Sequence, residues 1–306
     1  MTNPLDLRRL RHLQTIVVEG SFTGAAAQLG LSQPALSASI KSLEADLGVP
    51  LLKRHRFGAS ATPFADALVE HAHNIDNELE GAWLKVARLK GNEATSLRIG
   101  CGPSEATRLL PTALQHLHAT QPRMRLFVEY GLNETLMPMV RRGEIACALS
   151  SIPRSAPHPE LEHEALHVDA AVVVARSAHP LAARRTLSAK DLAAYPWVLA
   201  RRWELERKAL DDLFAQAGMK PIEAQIETTS AVLMKAVLLQ SDFLTFVPHE
   251  MIVWEERADL LRPLKGVRSS WERHVGITTR RGQPPSEPLQ LLIASLRATA
   301  QAFTRR

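Results

Sequence analysis

A chain of 306 residues, 45% hydrophobic and 23% charged, is long enough for two or three domains with an ample core. Its net charge of +5 hints at nucleic acid only weakly, and no apolar run approaches the length of a membrane helix. The N-terminal MTNPLDLRRLRH lacks the apolar centre of a signal peptide, and two cysteines, Cys101 and Cys147, make no disulfide framework; both features fit a reducing cytoplasm.

Residues 4 to 18 read as a helix with Leu7, Leu10, Leu13, Ile16 and Val17 on its inner face. Arg8, Arg9 and Arg11 lie outside that stripe, where they suit phosphate or solvent equally. Residues 21 to 63, SFTGAAAQLGLSQPALSASIKSLEADLGVPLLKRHRFGASATP, then carry two short helices joined by a tight turn. Thr23 can cap the first, which runs to Leu29, and Gly30 suits a left-handed stop. Ser32 reads as the next N-cap, and Pro34 falls in the first turn, where its missing N–H does no harm.

The second helix divides its faces. Leu36, Ile40, Leu43 and Leu47 form a buried stripe, while Gln33, Ser37 and Lys41 recur at intervals of four on another side. A helix that reads the DNA major groove needs short hydrogen-bonding side chains near its N-terminus and positive charge for phosphate. For Ser37 or Lys41 taken singly, the bland alternative is a solvated polar face. A basic tail follows, Lys53-Arg54-His55-Arg56, then Thr62-Pro63. Residues 1–62 hold seven Lys/Arg against four Asp/Glu, an excess of three, so tight binding calls for two copies of the module.

Positions 63–91 read as one long helix. Leu68, Ala72, Ile75, Leu79, Ala82, Val86 and Leu89 recur by fours and threes, a heptad seam of about three repeats. Such a seam can pack on its own domain or on a second copy; its length and its place between domains favour the copy. A two-fold dimer would set two reading helices on two half-sites.

Beyond Gly91-Asn92 strands and helices alternate. A strand Leu97–Ile99 leads into a helix opening near Ser104 and ending near Gln121-Pro122. Strand 124–129, helix 133–142 and strand 145–149 follow; a second set runs from Val168–Val174 to Phe243–Val247, and strand 274–278 with helix 288–303 returns to the first. This alternation implies parallel α/β units in two lobes around a cleft. Such sheets bind ligands beyond their strand ends, where helix N-termini present N–H groups. Three stretches qualify: Ser104, Arg201-Arg202-Trp203, and Thr228-Thr229-Ser230. A helix N-terminus beside two arginines favours a carboxylate or other anion, although Ser104 could be a plain cap and the arginines a solvated loop.

One motif argues for catalysis. His163-Glu164-Ala165-Leu166-His167 spells the zinc pattern H-E-x-x-H, which requires a helix to bring both imidazoles to one metal. Its Pro-rich and Val-rich flanks imply a strand, in which the rings would lie about 13 Å apart. No catalytic residue, metal or cofactor is therefore expected.

The residues Ser21-Phe22, Ala25-Ala26, Leu29, Leu31 to Ser37, Ile40, Leu43-Glu44, Leu47-Gly48, Leu51-Leu52, Arg54 and Thr62-Pro63 stand in fixed register. Together they resemble the N-terminal winged helix-turn-helix of the LysR-type transcriptional regulators. Ala38 departs from the Arg common in that family, as does Gly58-Ala59-Ser60-Ala61 from its usual wing, so no particular base contact transfers. More loosely, Arg98-Ile99-Gly100, Leu110-Pro111, Gly143-Glu144-Ile145, His179-Pro180-Leu181 and Phe246-Val247-Pro248 look like the family's periplasmic-binding-protein-like effector domain.

The resemblance implies an α + α/β chain. A winged helix-turn-helix occupies 1–62, a linker and dimerisation helix 63–91, and a two-lobed effector domain 92–306. Lobe I would hold about 92–167 with 270–306, and lobe II about 168–269. DNA contacts fall to Thr23, Ser32, Gln33, Pro34, Ser37, Lys41, Arg54 and Arg56, and dimer contacts to Leu68, Ile75, Leu79 and Val86. Effector contacts fall to Ser104, Leu132, Arg201, Arg202, Trp203, Thr228 and Pro248. The partners implied are promoter DNA, a small anionic effector, and further copies of the chain as a homodimer or homotetramer. Two other readings stand: a regulator whose α/β part serves assembly alone, and a metal-dependent enzyme using His163, Glu164 and His167.

Overall fold

The computed structural model describes residues 5–56, 58–89, 96–153, 158–201, 205–266 and 271–304. They fall into two compact units, one of residues up to 94 with Pro138–Ile145, the other of Thr95–Met137 with Ala146–Arg306.

In the first unit, α1 (Leu7–Glu19) begins at Asp6, whose carboxylate accepts the Arg9 N–H at 2.8 Å, and stops at left-handed Gly20. The two helices α2 (Phe22–Leu29) and α3 (Gln33–Leu47) follow. Ser21, not Thr23, caps α2: it has the extended backbone a cap requires, and its hydroxyl accepts the Gly24 N–H at 3.1 Å. Thr23 is the second residue of the helix, exposed. Gly30 is left-handed and Ser32 accepts the Ala35 N–H, so the turn forms as its residues dictate. Leu13, Ile16, Leu36, Ile40, Leu43 and Leu51 close the core of this unit. Full burial of each such side chain contributes about 1.5–3 kcal/mol.

The basic tail is an antiparallel hairpin, β1 (Leu52–His55) with β2 (Gly58–Ala61). Strands of four residues, one basic and one of small residues, give no periodic signal. The hairpin is fixed at both ends. Glu44 of α3 accepts the N–H groups of Leu51 and Leu52 at 2.7 and 3.2 Å. The Ala59 N–H donates to the Gly20 carbonyl at 2.8 Å, and a Cβ at Gly58 would lie 2.1 Å from that oxygen, so only glycine fits. Thr62 then opens α4 (Pro63–Leu89) by accepting the Ala65 N–H while donating to Pro50 O.

The second unit runs β3 (Ser96–Cys101), α5 (Leu109–Thr120), β4 (Arg125–Tyr130), α6 (Asn133–Arg142) and β5 (Cys147–Ser151). Next come the long β6 (Leu161–Arg176), α7 (Ala189–Ala193), β7 (Val198–Leu199), α8 (Leu205–Gln216) and β8 (Ile226–Glu227). The remainder is α9 (Ala231–Gln240), β9 (Thr245–Pro248), a 3-10 turn (His249–Ile252), α10 (Val253–Arg257), β10 (Leu261–Pro263), β11 (Glu272–Arg280) and α11 (Glu287–Thr304). The main sheet has the order β10-β6-β11-β5-β3-β4, with β9 also on β6.

Only part of this sheet is parallel. β3 pairs in parallel with β4 and β5, each joined by a helical crossover. β6, β9, β10 and β11 pair antiparallel, because no helix separates β5 from β6 and the chain returns at its end to insert β11 between them. β6 pairs β11 over Leu161–Ala170, then β9 and β10 over Ala171–Arg176. Leu97, Ile99, Leu149, Val275 and Leu292 make one core; Val173, Trp197, Phe214, Leu244 and Phe246 make another. β6 and β11 thus pass from one core to the other, and Asp169 faces Arg273 in register at that crossing.

Candidate nucleic-acid interface and ligand cavity

In the first unit, α3 buries Leu36, Ile40 and Leu43 and leaves Gln33, Pro34, Ala35, Ala38 and Lys41 exposed. Ser32 is exposed at its cap and Ser37 is half-buried on the same helix. This surface carries short polar groups at the N-terminal end, with Lys41 two turns on. The wing adds exposed Lys53, His55 and Arg56; Arg54 lies on β1, and its side chain is outside the described atoms. Two of the other cations are bound internally. Arg9 pairs with Asp6 and Asp46, and Arg11 with Asp76 at 2.8 Å.

α4 changes character along its length. Ala65, Val69 and Ala72 are buried and Leu68 half-buried against the core of the first unit, whereas Ile75, Leu79, Trp83 and Val86 are exposed. The seam is thus buried against its own unit over the early turns of the helix and exposed over the later ones.

In the second unit a cavity enclosing about 540 Å³ of atom-free space, open solvent included, lies beside the crossing strands. Its apolar wall comes from Leu132, Ala200, Met234, Phe246, Pro248 and Met251. Its polar wall comes from Ser104, Thr228, Thr229, Glu206 and Arg273. Of the residues expected here, Ser104, Leu132, Thr228 and Pro248 line the cavity. Arg201 is exposed and outside that lining, while Arg202 and Trp203 lie outside the described residues.

Ser104 is not the helix cap expected of it. Residues 103–108 form tight turns, and α5 begins only at Leu109. The Ser104 hydroxyl is buried, donates to Glu105 Oε1 at 2.8 Å and accepts from Arg273. The helix N-terminus at the cavity belongs instead to α9. There Ser230 accepts the Leu233 N–H at 3.2 Å, and Thr228 accepts the Ser230 N–H at 3.0 Å.

Beneath the cavity lies a buried ionic cluster that sequence reasoning missed. Arg273 Nη2 donates to Glu105 Oε1 at 3.0 Å and to Asp169 Oδ2 at 3.2 Å, and Glu206 stands 3.8 Å from Nη1. Side-chain exposure is 9% for Arg273, 1% for Glu105 and 4% for Asp169. Burial pushes the Asp169 carboxyl up, although Arg273 opposes this. For Arg273 the burial penalty is outweighed by Glu105, Asp169 and Glu206, which hold it above its ordinary value. No spacing signal could have linked residues 105, 169, 206 and 273; their meeting depends on the β6–β11 register.

The H-E-x-x-H residues lie on β6 in extended conformation. His163 is bonded to Thr278 at 2.8 Å, and Glu164 chelates Arg297 at 2.6 and 2.7 Å. His167 sits past a register shift, among the charges of Glu250, Glu105, Arg273 and Arg108.

Residues 7–66 match the bacterial regulatory helix-turn-helix of the lysR family, and residues 90–301 match the LysR substrate binding domain. The chain is 32% identical over 303 residues to an SDS degradation transcriptional activation protein of a Pseudomonas species, covering 94% of this chain and 95% of that one. It is 25% identical to the transcriptional regulator PcaQ of Agrobacterium fabrum, with 95% of each covered. Its fold is similar to full-length OxyR of Pseudomonas aeruginosa (TM-score 0.68, 22% identity, 96% and 95% covered). It is likewise similar to CbnR complexed with its target DNA (TM-score 0.65, 20% identity, 96% and 100% covered).

Proposed function

The chain belongs to the LysR family of DNA-binding transcriptional regulators, and from that premise we propose how its parts divide the work. Gln33 and Ser37 on α3 read base edges, with Ser32, Pro34 and Thr23 near the groove and Lys41, Arg54 and Arg56 on phosphates. The exposed stripe Ile75, Leu79 and Val86, with Leu68 nearer the domain core, pairs α4 with a second copy; two dimers make the tetramer. The first boundary falls at 62/63 and the second at 91/92, with the effector domain divided near 167/168 and 269/270. Acting on DNA, the protein works in the cytoplasm.

The cavity of the second unit takes the effector. Supporting this is its position: it opens where β6 and β11 cross between two cores, so a ligand there bears on both. Thr228, Thr229 and the α9 N-terminus offer hydroxyls and N–H groups to a carboxylate or other anionic group, with Arg201 to Trp203 close in sequence. Ligand-driven change of the lobes would then rearrange the dimers and switch transcription. A thiol switch is a poorer fit. Burial pushes the Cys147 thiol up to about 12 and raises Cys101 further, which suppresses the reactive thiolate.

The observation that carries the reading is the cavity at the crossing strands, in a chain that also presents an exposed reading helix. Footprinting of the full chain on promoter fragments, with and without small carboxylates, tests it. A footprint that changes length with a ligand that also raises the melting temperature is the expected result. A stabilising ligand that leaves every footprint unchanged would instead favour a regulator whose α/β part serves assembly alone.

A further inference from the structure

The ionic cluster beneath the cavity is not balanced by its own members. Among the described residues, Glu105, Asp169 and Glu206 gather on the single guanidinium of Arg273. Glu105 and Asp169 are buried almost completely and use Arg273 directly, while Glu206 reaches it only at 3.8 Å and lines the cavity wall. A second acceptor, Glu105 Oε2, is buried without a hydrogen-bond partner. Uncompensated carboxylates at low dielectric are expensive, and the deficit is met by a proton or by a cation. The cavity wall beside Glu206 is where a cation from outside could arrive. The polar wall also includes Thr228 and Thr229, just ahead of the N-terminal end of α9, where negative charge is favoured.

We propose that the effector is amphoteric: a small amino carboxylate whose cationic nitrogen pairs with Glu206 and whose carboxylate meets the α9 N-terminus. This inference rests on the cavity being the effector site. Met234, Phe246 and Met251 in the same lining give apolar surface for the carbon skeleton. A simple dicarboxylate would set one negative group against Glu206, and a simple amine would leave the α9 end unused.

The test is calorimetric titration and thermal melting of the full-length chain with three matched panels. These are free amino acids and longer amino carboxylates, their N-acetyl derivatives, and the corresponding amines. Members of the first panel should bind, and the N-acetyl partner of each binder should be weaker by about tenfold or more, the scale of losing a charge-assisted hydrogen bond. Glu206→Gln should remove that advantage while leaving the weak N-acetyl affinities in place. N-acetyl derivatives that bind as well as the free compounds, or unchanged affinities in Glu206→Gln, would overturn the cationic pole while leaving the cavity reading intact. If no member of any panel binds, this inference is overturned, and the cavity reading is decided by the footprinting with small carboxylates. Should Glu206→Gln not fold, the ranking of panels on the natural chain decides.

Discussion

At the scale of single residues, position in the local backbone decided roles that side-chain chemistry left open. Ser21 and Thr23 are both competent caps, but only Ser21 has the extended backbone that aims a hydroxyl at the Gly24 N–H. Ser21→Ala should therefore lower stability by about 1 kcal/mol, with Thr23→Ala close to neutral, as urea denaturation would show. Arg273 is a stronger case. Arg273→Ala leaves Glu105 and Asp169 buried without their cation, a loss of about 3–5 kcal/mol. That loss should shrink as pH falls and the carboxyls take protons; a deficit equally large at pH 4 and pH 7 would contradict the account. Arg56→Ala should weaken binding to all DNA sequences and flatten the salt dependence, whereas Gln33→Ala should relax base preference, both read by titration at several salt concentrations.

Among elements, α4 carries one periodic pattern through two environments. Its early turns seal the first unit through Ala65, Val69 and Ala72, and its later turns expose Ile75, Leu79, Trp83 and Val86. Glu placed at both Ile75 and Leu79 should abolish the dimer in sedimentation experiments and leave the melting of the helix-turn-helix unit nearly unchanged, since neither side chain is in its core. The helix, its start after Thr62 and its seam were all legible, because a period of three and four residues survives in sequence. The wing was legible only through resemblance. β1 and β2 are four residues each, and what fixes them is Glu44 and the Gly20 carbonyl rather than any pattern of their own. Likewise β10, α7 and α10 are too short to print a period.

For the molecule as a whole, both units bury histidines in the same sense. Burial is the leading cause that lowers His12 and His73 in the first unit and His163, His167 and His179 in the second. The unfolded chain binds more protons than the folded one between those lowered values and the ordinary histidine value of about 6.5. Stability is thus present above that value and lost as pH falls below it. The melting temperature should drop between pH 7 and pH 5, and His167→Gln should soften the drop; a flat profile would count against these burials. By itself the sequence determined what depends on neighbours along the chain: helix periods, the turn at Gly30, the cap at Ser32, the α/β alternation and the family resemblance. Only the tertiary structure decided that β11 inserts between β5 and β6, that the sheet is mixed, and that Glu105, Asp169, Glu206 and Arg273 converge beneath one cavity. The reason is physical: strand register and charge convergence are set by contacts between residues tens to well over a hundred positions apart, which leave no local trace.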